Sequence, residues 1–396
     1  MGESIRDPIA ALDQARAHFA AATDFTIGIE EEFQILDPET LGLTQRFEEL
    51  KAIGEAVPGL TGNLAGELIK SEIEIKTGRC ETFAEAAAQI RERRRLLFGA
   101  ADTLGVALGA NGTHPFSPWQ EQEIIDTPHY RIVEGQLKYV AWRNNTFGIH
   151  VHVGIRDADR AIAVSNALRS VVPELTAASA SSPWIEDRCT YLRSTRSQVF
   201  TRMFPRCGLP DAFANWSQYE EFVRFLLDVR SIREHTEIWW TIRPHQSFGT
   251  VEIRACDALP DVNESLALCA LQVALAARFA RMYDEGEPLP VYDHRYLEEN
   301  VWRSIRWGLD WELIDFAARR SVPAADRLRA LIELCGPEID ALGLAPYLPP
   351  LERILTEGDN ASRFVRRMEA GESHRAIFAE QVALMRASVE QNPVAR

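Results

Sequence analysis

Four segments of this chain alternate apolar with charged residues at a period of two, and the charged side carries mainly carboxylates and imidazoles. Over Phe25–Leu36, the residues Phe25, Ile27, Ile29, Phe33 and Ile35 fall on one side and Glu30, Glu32 and Gln34 on the other. Ile69–Lys76 opposes Ile69, Ile73 and Ile75 to Glu72 and Glu74; Phe147–Ile155 opposes Ile149, Val151 and Val153 to His150 and His152. Gly249–Cys256 opposes Val251 and Ile253 to Thr250, Glu252 and Arg254, with Trp239–Arg243 as a hairpin partner across a turn at 244–248. Period two is the geometry of a strand with unlike faces. Such strands build an antiparallel sheet with helices on one face and polar groups on the other. The expected fold class is therefore α+β, not a doubly wound parallel sheet.

Helical spacing fills much of the remainder. Pro8–Ala22, Arg46–Ala56, Ala158–Ala180, Tyr219–Arg230, Glu264–Tyr283, Leu297–Ala318, Ala324–Cys335 and His374–Val389 carry apolar residues at intervals of three and four. Another helix follows Cys80, where Thr82 and Glu85 have capping-box spacing. Beyond Asn263 the texture is almost wholly helical. A chain of 396 residues allows two domains or one large α+β unit.

A formal charge of −15 argues against nucleic-acid binding, which needs clustered Lys and Arg. It leaves room for phosphate-bearing small molecules, because divalent cations invert the field of an acid-lined pocket. The six cysteines are scattered without a CxxC pair, which fits neither a disulfide framework nor a zinc knuckle. Met1–Ala22 lacks the apolar run of a signal peptide, and Leu266–Ala280 is too short and interrupted to span a bilayer. The expectation is a reduced, cytoplasmic protein with no membrane partner.

A polar strand face is ordinarily a wet surface, but wet faces favour Thr, Lys and mixed charges. Here Glu30 and Glu32 share one face with no Lys or Arg between them, which is unfavourable unless a cation lies nearby. Four strands presenting Glu, Glu, His and Glu point to a metal site. Carboxylates with one or two imidazoles suit Mg2+ or Mn2+; without a thiolate, zinc fits less well. His150 and His152 share a face and can reach one site, flanked there by Gly148 and Gly154, which leave room for a ligand or a close backbone. A packed, hydrogen-bonded histidine is the competing explanation for either ring alone. Arg196, Arg243 and Arg254 are candidate clamps for phosphate or carboxylate, and Arg254 stands out by sharing its face with Glu252. The Gly109–Pro115 turn looks like a substrate loop at a sheet end. No P-loop, Rossmann glycine motif or nucleophile elbow is present.

In order along the chain stand Phe25-Thr-Ile-Gly-Ile-Glu-Glu-Glu-Phe-Gln34, Glu72-Ile-Glu-Ile-Lys-Thr-Gly78, Gly112-Thr-His-Pro115, Gly148-Ile-His-Val-His-Val-Gly154, and Trp240-Thr-Ile-Arg-Pro244 with Gly249-Thr-Val-Glu-Ile-Arg254. Together they resemble the carboxylate–amine ligases called glutamate–cysteine ligase type 2. The resemblance implies a glutamine synthetase-like catalytic fold, a curved antiparallel sheet forming a funnel. It implies one catalytic domain over 1–396, sheet-bearing at about 24–260 and helical at about 261–396. It also implies Mg2+ (or Mn2+), ATP as co-substrate, and activation of a carboxylate, typically the γ-carboxylate of glutamate, as an acyl phosphate that an amine such as cysteine's attacks. By position Glu30, Glu74, His150 and Glu252 match the superfamily's metal ligands, and Glu32 and Glu67 join them, with Glu72 alongside. Strict alternation would put Glu67 on the wrong face, so a bulge or strand start must intervene. Arg254 and Arg196 carry over as catalytic, Arg254 and Arg243 as nucleotide-binding.

One departure stands out. Across Ser182–Arg196 the family favours Ser-Pro-Phe-Trp and then glycines, whereas Asp187 and Tyr191 occupy two glycine positions; Thr190, Ser194 and Arg196 fit. If this loop shapes the acceptor pocket, the identity of the amine is open. The expected partners are small amino-acid and amine substrates, and a homo-oligomer stays open. Two other classes remain: a metal-dependent hydrolase around His150 and His152, and a ligase-derived binding protein without turnover.

Overall fold

A computed structural model describes residues 8–391. Seven strands form one antiparallel sheet: β1 (Ile27–Leu36), β2 (Leu64–Ala65), β3 (Glu72–Lys76), β4 (Ala107–Gly109), β5 (Gly148–Gly154), β6 (Ile242–His245) and β7 (Thr250–Asp257). Their order is β6-β7-β5-β1-β3-β2, with β4 beside the end of β1. The four alternating segments are thus neighbours, and register aligns their charged positions. Glu32 faces Glu74, Glu30 faces His150, and His152 faces Glu252. A one-residue slip would turn Ile29, Ile73, Val151 and Ile253, all fully buried, out of the core.

The apolar face packs against helices that include Phe83–Leu104 and Val262–Asp284. The second is 23 residues long and apolar enough to cross a bilayer by length and composition. Here Leu268, Leu271 and Leu275 are fully buried in the core, each stabilising the fold by roughly 1.5–3 kcal/mol. Thr82 caps the first helix through Glu85 N at 3.2 Å, while the Glu85 carboxylate accepts from Glu81 N rather than from Thr82. Glu31 has the parity of the apolar face and is buried beneath the sheet. Arg94 neutralises it with Nε and Nη2, each 2.8 Å from a separate carboxylate oxygen. The remaining Arg94 N–H groups reach Leu259 O, Pro260 O and Ser265 Oγ.

Several sequence expectations are corrected. Ala158–Ala180 is two helices, Ala158–Arg169 and Val172–Ser179, with Pro173 in the first turn of the second, where its missing N–H is harmless. Leu297–Ala318 is helical only over His294–Trp307; Gly308 turns the chain with φ 56° into the hairpin Glu312–Asp315 and Arg320–Pro323. The partner of β7 is Ile242–His245, because the turn closes at His245 O with Phe248 N and Gly249 N. Trp239–Trp240 instead pairs in parallel with Cys207–Gly208. Pro244 is tolerated in β6 because that strand is the sheet's edge. Ile69 makes only an isolated bridge, to Ile124, before β3 begins.

Candidate active site

The polar sheet face lines a cavity of about 310 Å3, whose far walls come from Pro128–Leu137, Thr195–Met203 and the 236–239 segment. Glu30, Glu32, Glu67, Glu72, Glu74, His150, Arg196, Arg243 and Arg254 all line it. Glu252 is fully buried between Arg243 and Arg254. Glu67 belongs to no alternating strand: it sits in the irregular stretch between β2 and β3, so the parity objection does not apply.

Three sets of ligand atoms lie within 4.8 Å of one another: Glu30, His152 and Glu252; Glu30, Glu74 and His150; and Glu32, Glu67 and Glu74. Glu30 and Glu74 each belong to two sets, which links the three in a row across β7, β5, β1 and β3. His152, whose face the sequence had identified, is therefore part of the constellation. His150 Nδ1 lies 3.3 Å from both Glu30 Oε2 and Arg254 Nη1, and one nitrogen cannot donate to the first while accepting from the second. His150 Nε2 faces Glu32 Oε1 at 3.6 Å and has no hydrogen-bond partner.

Electrostatics divides the carboxylates. Burial, then the charge of Glu67, pushes the Glu32 carboxyl up to about 7. Burial and the charges of Glu30 and Glu67 push Glu74 well above its ordinary range. Burial opposes ionisation at Glu30 and Glu252 too, but His150 and His152 hold Glu30 well below its ordinary value, as Arg243 and Arg254 hold Glu252. Burial, then Arg254, pushes His150 down to about 4, so its imidazole is neutral and able to ligate. An oxygen-rich donor set with neutral imidazole, linked carboxylates and an unbonded ring nitrogen fits hard divalent cations.

The three arginines differ. Arg243 donates Nε to Glu252 Oε2 at 2.7 Å and Nη1 to Thr236 O and Ile238 O at 3.1 and 3.0 Å, so it braces Glu252 more than it reaches for phosphate. Arg254 donates Nη1 to Glu252 Oε1 at 2.5 Å, and its Nε is unbonded. It stands in a β-bulge: Ile253 faces Val151 and Cys256 faces Ile149, leaving Arg254 and Ala255 opposite His150. The bulge reverses parity, placing Cys256 on the apolar face and Asp257 beside Gly148 on the polar one. Asp257, which sequence reasoning missed, accepts from Ser182 Oγ at 2.6 Å, Ser194 Oγ at 2.7 Å and Ser181 N at 3.1 Å. It thereby ties down the loop that leads into the Thr195–Met203 helix, which carries Arg196 in its first turn. Only the shift of register in β7 reveals it.

Asp187 and Tyr191 do not line the cavity. Asp187 pairs with His374 and Arg375 of the last helix, and Tyr191 is 54% exposed. Both have positive φ, 59° and 58°, a conformation that favours glycine, so a glycine at either position would meet a backbone need rather than shape the cavity. The Gly109–Pro115 turn is likewise structural. Gly112 abuts Asp257 and Ser182, and buried His114 bonds Leu41 O at 2.8 Å. His245, by contrast, packs its ring 5.4 Å from His152 and 5.3 Å from His235, though neither it nor His235 joins a ligand set.

The profile of glutamate–cysteine ligase family 2 matches residues 26–380. A Gloeobacter violaceus protein with the provisional name glutamate–cysteine ligase 2 is 39% identical over 366 residues, covering 91% of this chain and 97% of its own. A Chloroflexus aggregans protein of the same provisional name is 37% identical over 370 residues, covering 93% of each. Among solved structures, glutamate–cysteine ligase from Francisella tularensis in complex with AMP superposes with TM-score 0.66 at 12% identity, covering 94% of each chain. A bifunctional glutathione synthetase from Pasteurella multocida gives 0.62 at 15% identity, over 97% of this chain and 55% of that one. These two share the fold, that of the glutamine synthetase-like ligases. The chain belongs to glutamate–cysteine ligase family 2 and is an ATP-dependent carbon–nitrogen ligase.

Proposed function

We propose that the enzyme activates the γ-carboxylate of glutamate with ATP and joins it to an amino compound, cysteine or another amine. The observation that carries this reading is the row of three linked ligand sets along one cavity. The carboxylate oxygen attacks the γ-phosphorus and ADP leaves; the amine nitrogen then attacks the acyl carbon, loses a proton, and phosphate departs. Glu30, Glu32, Glu67, Glu74, His150, His152 and Glu252 would hold Mg2+ or Mn2+, which would offset charge on the phosphate oxygens. Glu252, gripped by two guanidiniums, stays ionised and fixes Arg254, whose unbonded Nε offers a donor to an oxyanion. Six unpaired cysteines support a reducing, cytoplasmic setting.

The test is ADP release by purified enzyme with Mg2+, L-glutamate and a panel of amines, with products identified by mass. Stimulation by glutamate plus one amine class is expected. Folded enzyme without nucleotide turnover across the panel contradicts the proposal, and product formed without nucleotide would favour the hydrolase. The loop departures that raised a non-catalytic binding protein lie outside the cavity and lend that reading no support.

A further inference from the structure

Two buried polar side chains in the cavity lack adequate partners. Glu72 is 1% exposed and lines the cavity, yet neither carboxylate oxygen has a hydrogen bond, and among the described residues it joins none of the three ligand sets. Arg196 is 4% exposed and lies across the bare backbone of Gly148, where a Cβ would come within 2.2 Å of Nη2. Its guanidinium has Arg254 O at 3.4 Å and Asp257 Oδ1 at 3.9 Å, and Nε has no acceptor. Burying either group without a full complement of hydrogen bonds is unfavourable. The two do not pair with each other: burial, then the charges of Glu32 and Glu67, pushes the Glu72 carboxyl well above its ordinary range, and the Arg196 charge offsets only part of that. Arg196 is held back by its own backbone, since its N–H donates to Ser182 Oγ at 3.1 Å, in the loop that Asp257 anchors.

A carboxylate short of donors and a guanidinium short of acceptors, held apart in one cavity, match the two ends of an amino-acid head group. We propose that Glu72 takes the α-ammonium and Arg196 the α-carboxylate of the donor amino acid, leaving its side-chain carboxylate for the cation-binding row. This rests on the ligase reading above. The donor fits better than the acceptor because its ammonium survives the reaction. The acceptor nitrogen must shed a proton before attack, which a carboxylate clamp would oppose.

The experiment is calorimetric titration of wild type, Glu72→Gln and Arg196→Gln with L-glutamate, glutarate (no amino group) and 4-aminobutyrate (no α-carboxylate), in Mg2+ and a non-hydrolysable ATP analogue. Wild type should bind L-glutamate at least about tenfold more tightly than either analogue, as charge-assisted hydrogen bonds require. Glu72→Gln should lose the preference over glutarate and keep that over 4-aminobutyrate; Arg196→Gln should do the reverse. If Arg196→Gln does not fold, Arg196→Lys, which keeps the charge but not the fork, takes its place. Mn2+ titration should be unchanged in Glu72→Gln. Wild type that binds glutarate as tightly as L-glutamate, or a Glu72→Gln enzyme that loses Mn2+ along with glutamate, overturns the clamp. Separate ADP assays divide the failures: the binding pattern without turnover rejects the ligase reading alone, and turnover without the pattern rejects the clamp alone.

Discussion

Glu74→Gln should stabilise the cation-free protein while destroying its response to Mg2+. Glu74 stands in two ligand sets and is crowded by Glu30, Glu32 and Glu67. A carboxyl whose folded value is raised contributes stability below its unfolded value and loses it as pH rises through the folded one. Glu32 shows the scale: a rise from 4.5 to about 7 corresponds to ~3 kcal/mol lost above neutrality, at ~1.4 kcal/mol per pH unit. Glu74 is raised well above 4.5, and part of its strain is shared with Glu67, so neutralising it should return ~1–3 kcal/mol at pH 8. For a chain of this length that is a Tm gain of ~1–4 °C. The assay is thermal unfolding of wild type and variant at pH 4.5 and 8, in EDTA and in saturating Mg2+. Wild type should gain Tm with Mg2+ at pH 8 and the variant much less, and the EDTA difference should vanish at pH 4.5. A variant less stable than wild type in EDTA at pH 8 would refute the claim that these carboxylates repel.

Mg2+ affinity of wild type should rise between pH 6 and 8 by up to about tenfold per pH unit while Glu32 loses its proton, read by calorimetry; a flat profile contradicts the assignment. Asp257→Asn should raise the KM for the amino acid while leaving that for ATP unchanged, at a stability cost of ~1–3 kcal/mol, because it frees the loop and N-cap that hold the first turn of the Arg196 helix; equal effects on both KM values would contradict that role. Glu31→Gln should lower stability by ~3–5 kcal/mol by leaving Arg94 buried and uncompensated, with denaturant unfolding as the check. Tyr191→Gly should change stability by no more than ~1 kcal/mol and leave every KM unchanged in steady-state assays, since the side chain lies outside the cavity.

Parity made much of the site legible. Glu30, Glu74, His150 and Glu252 occupy neighbouring strands in register, because the apolar face permits no other pairing. What escaped depends on local breaks in periodicity. Asp257 reaches the polar face only because Arg254 and Ala255 share one partner, and Glu67 arrives from an irregular stretch where alternation says nothing. Glu31 looked like one more acid in a run until Arg94, 63 residues away, explained its burial. The hairpin after Gly308 was hidden because its residues continue a helical spacing that only the glycine's backbone interrupts. Asp187 and Tyr191 were legible as departures, but their positive φ was not.

The central claim is that the acidic row gathers divalent cations beside the nucleotide. Anomalous diffraction from crystals grown with Mn2+ and a non-hydrolysable ATP analogue tests it directly. The account predicts Mn2+ peaks within coordination distance of Glu30 and Glu74, the residues shared between ligand sets, bridging to the nucleotide's phosphates. A nucleotide bound in the cavity with no Mn2+ peak at those carboxylates would contradict it.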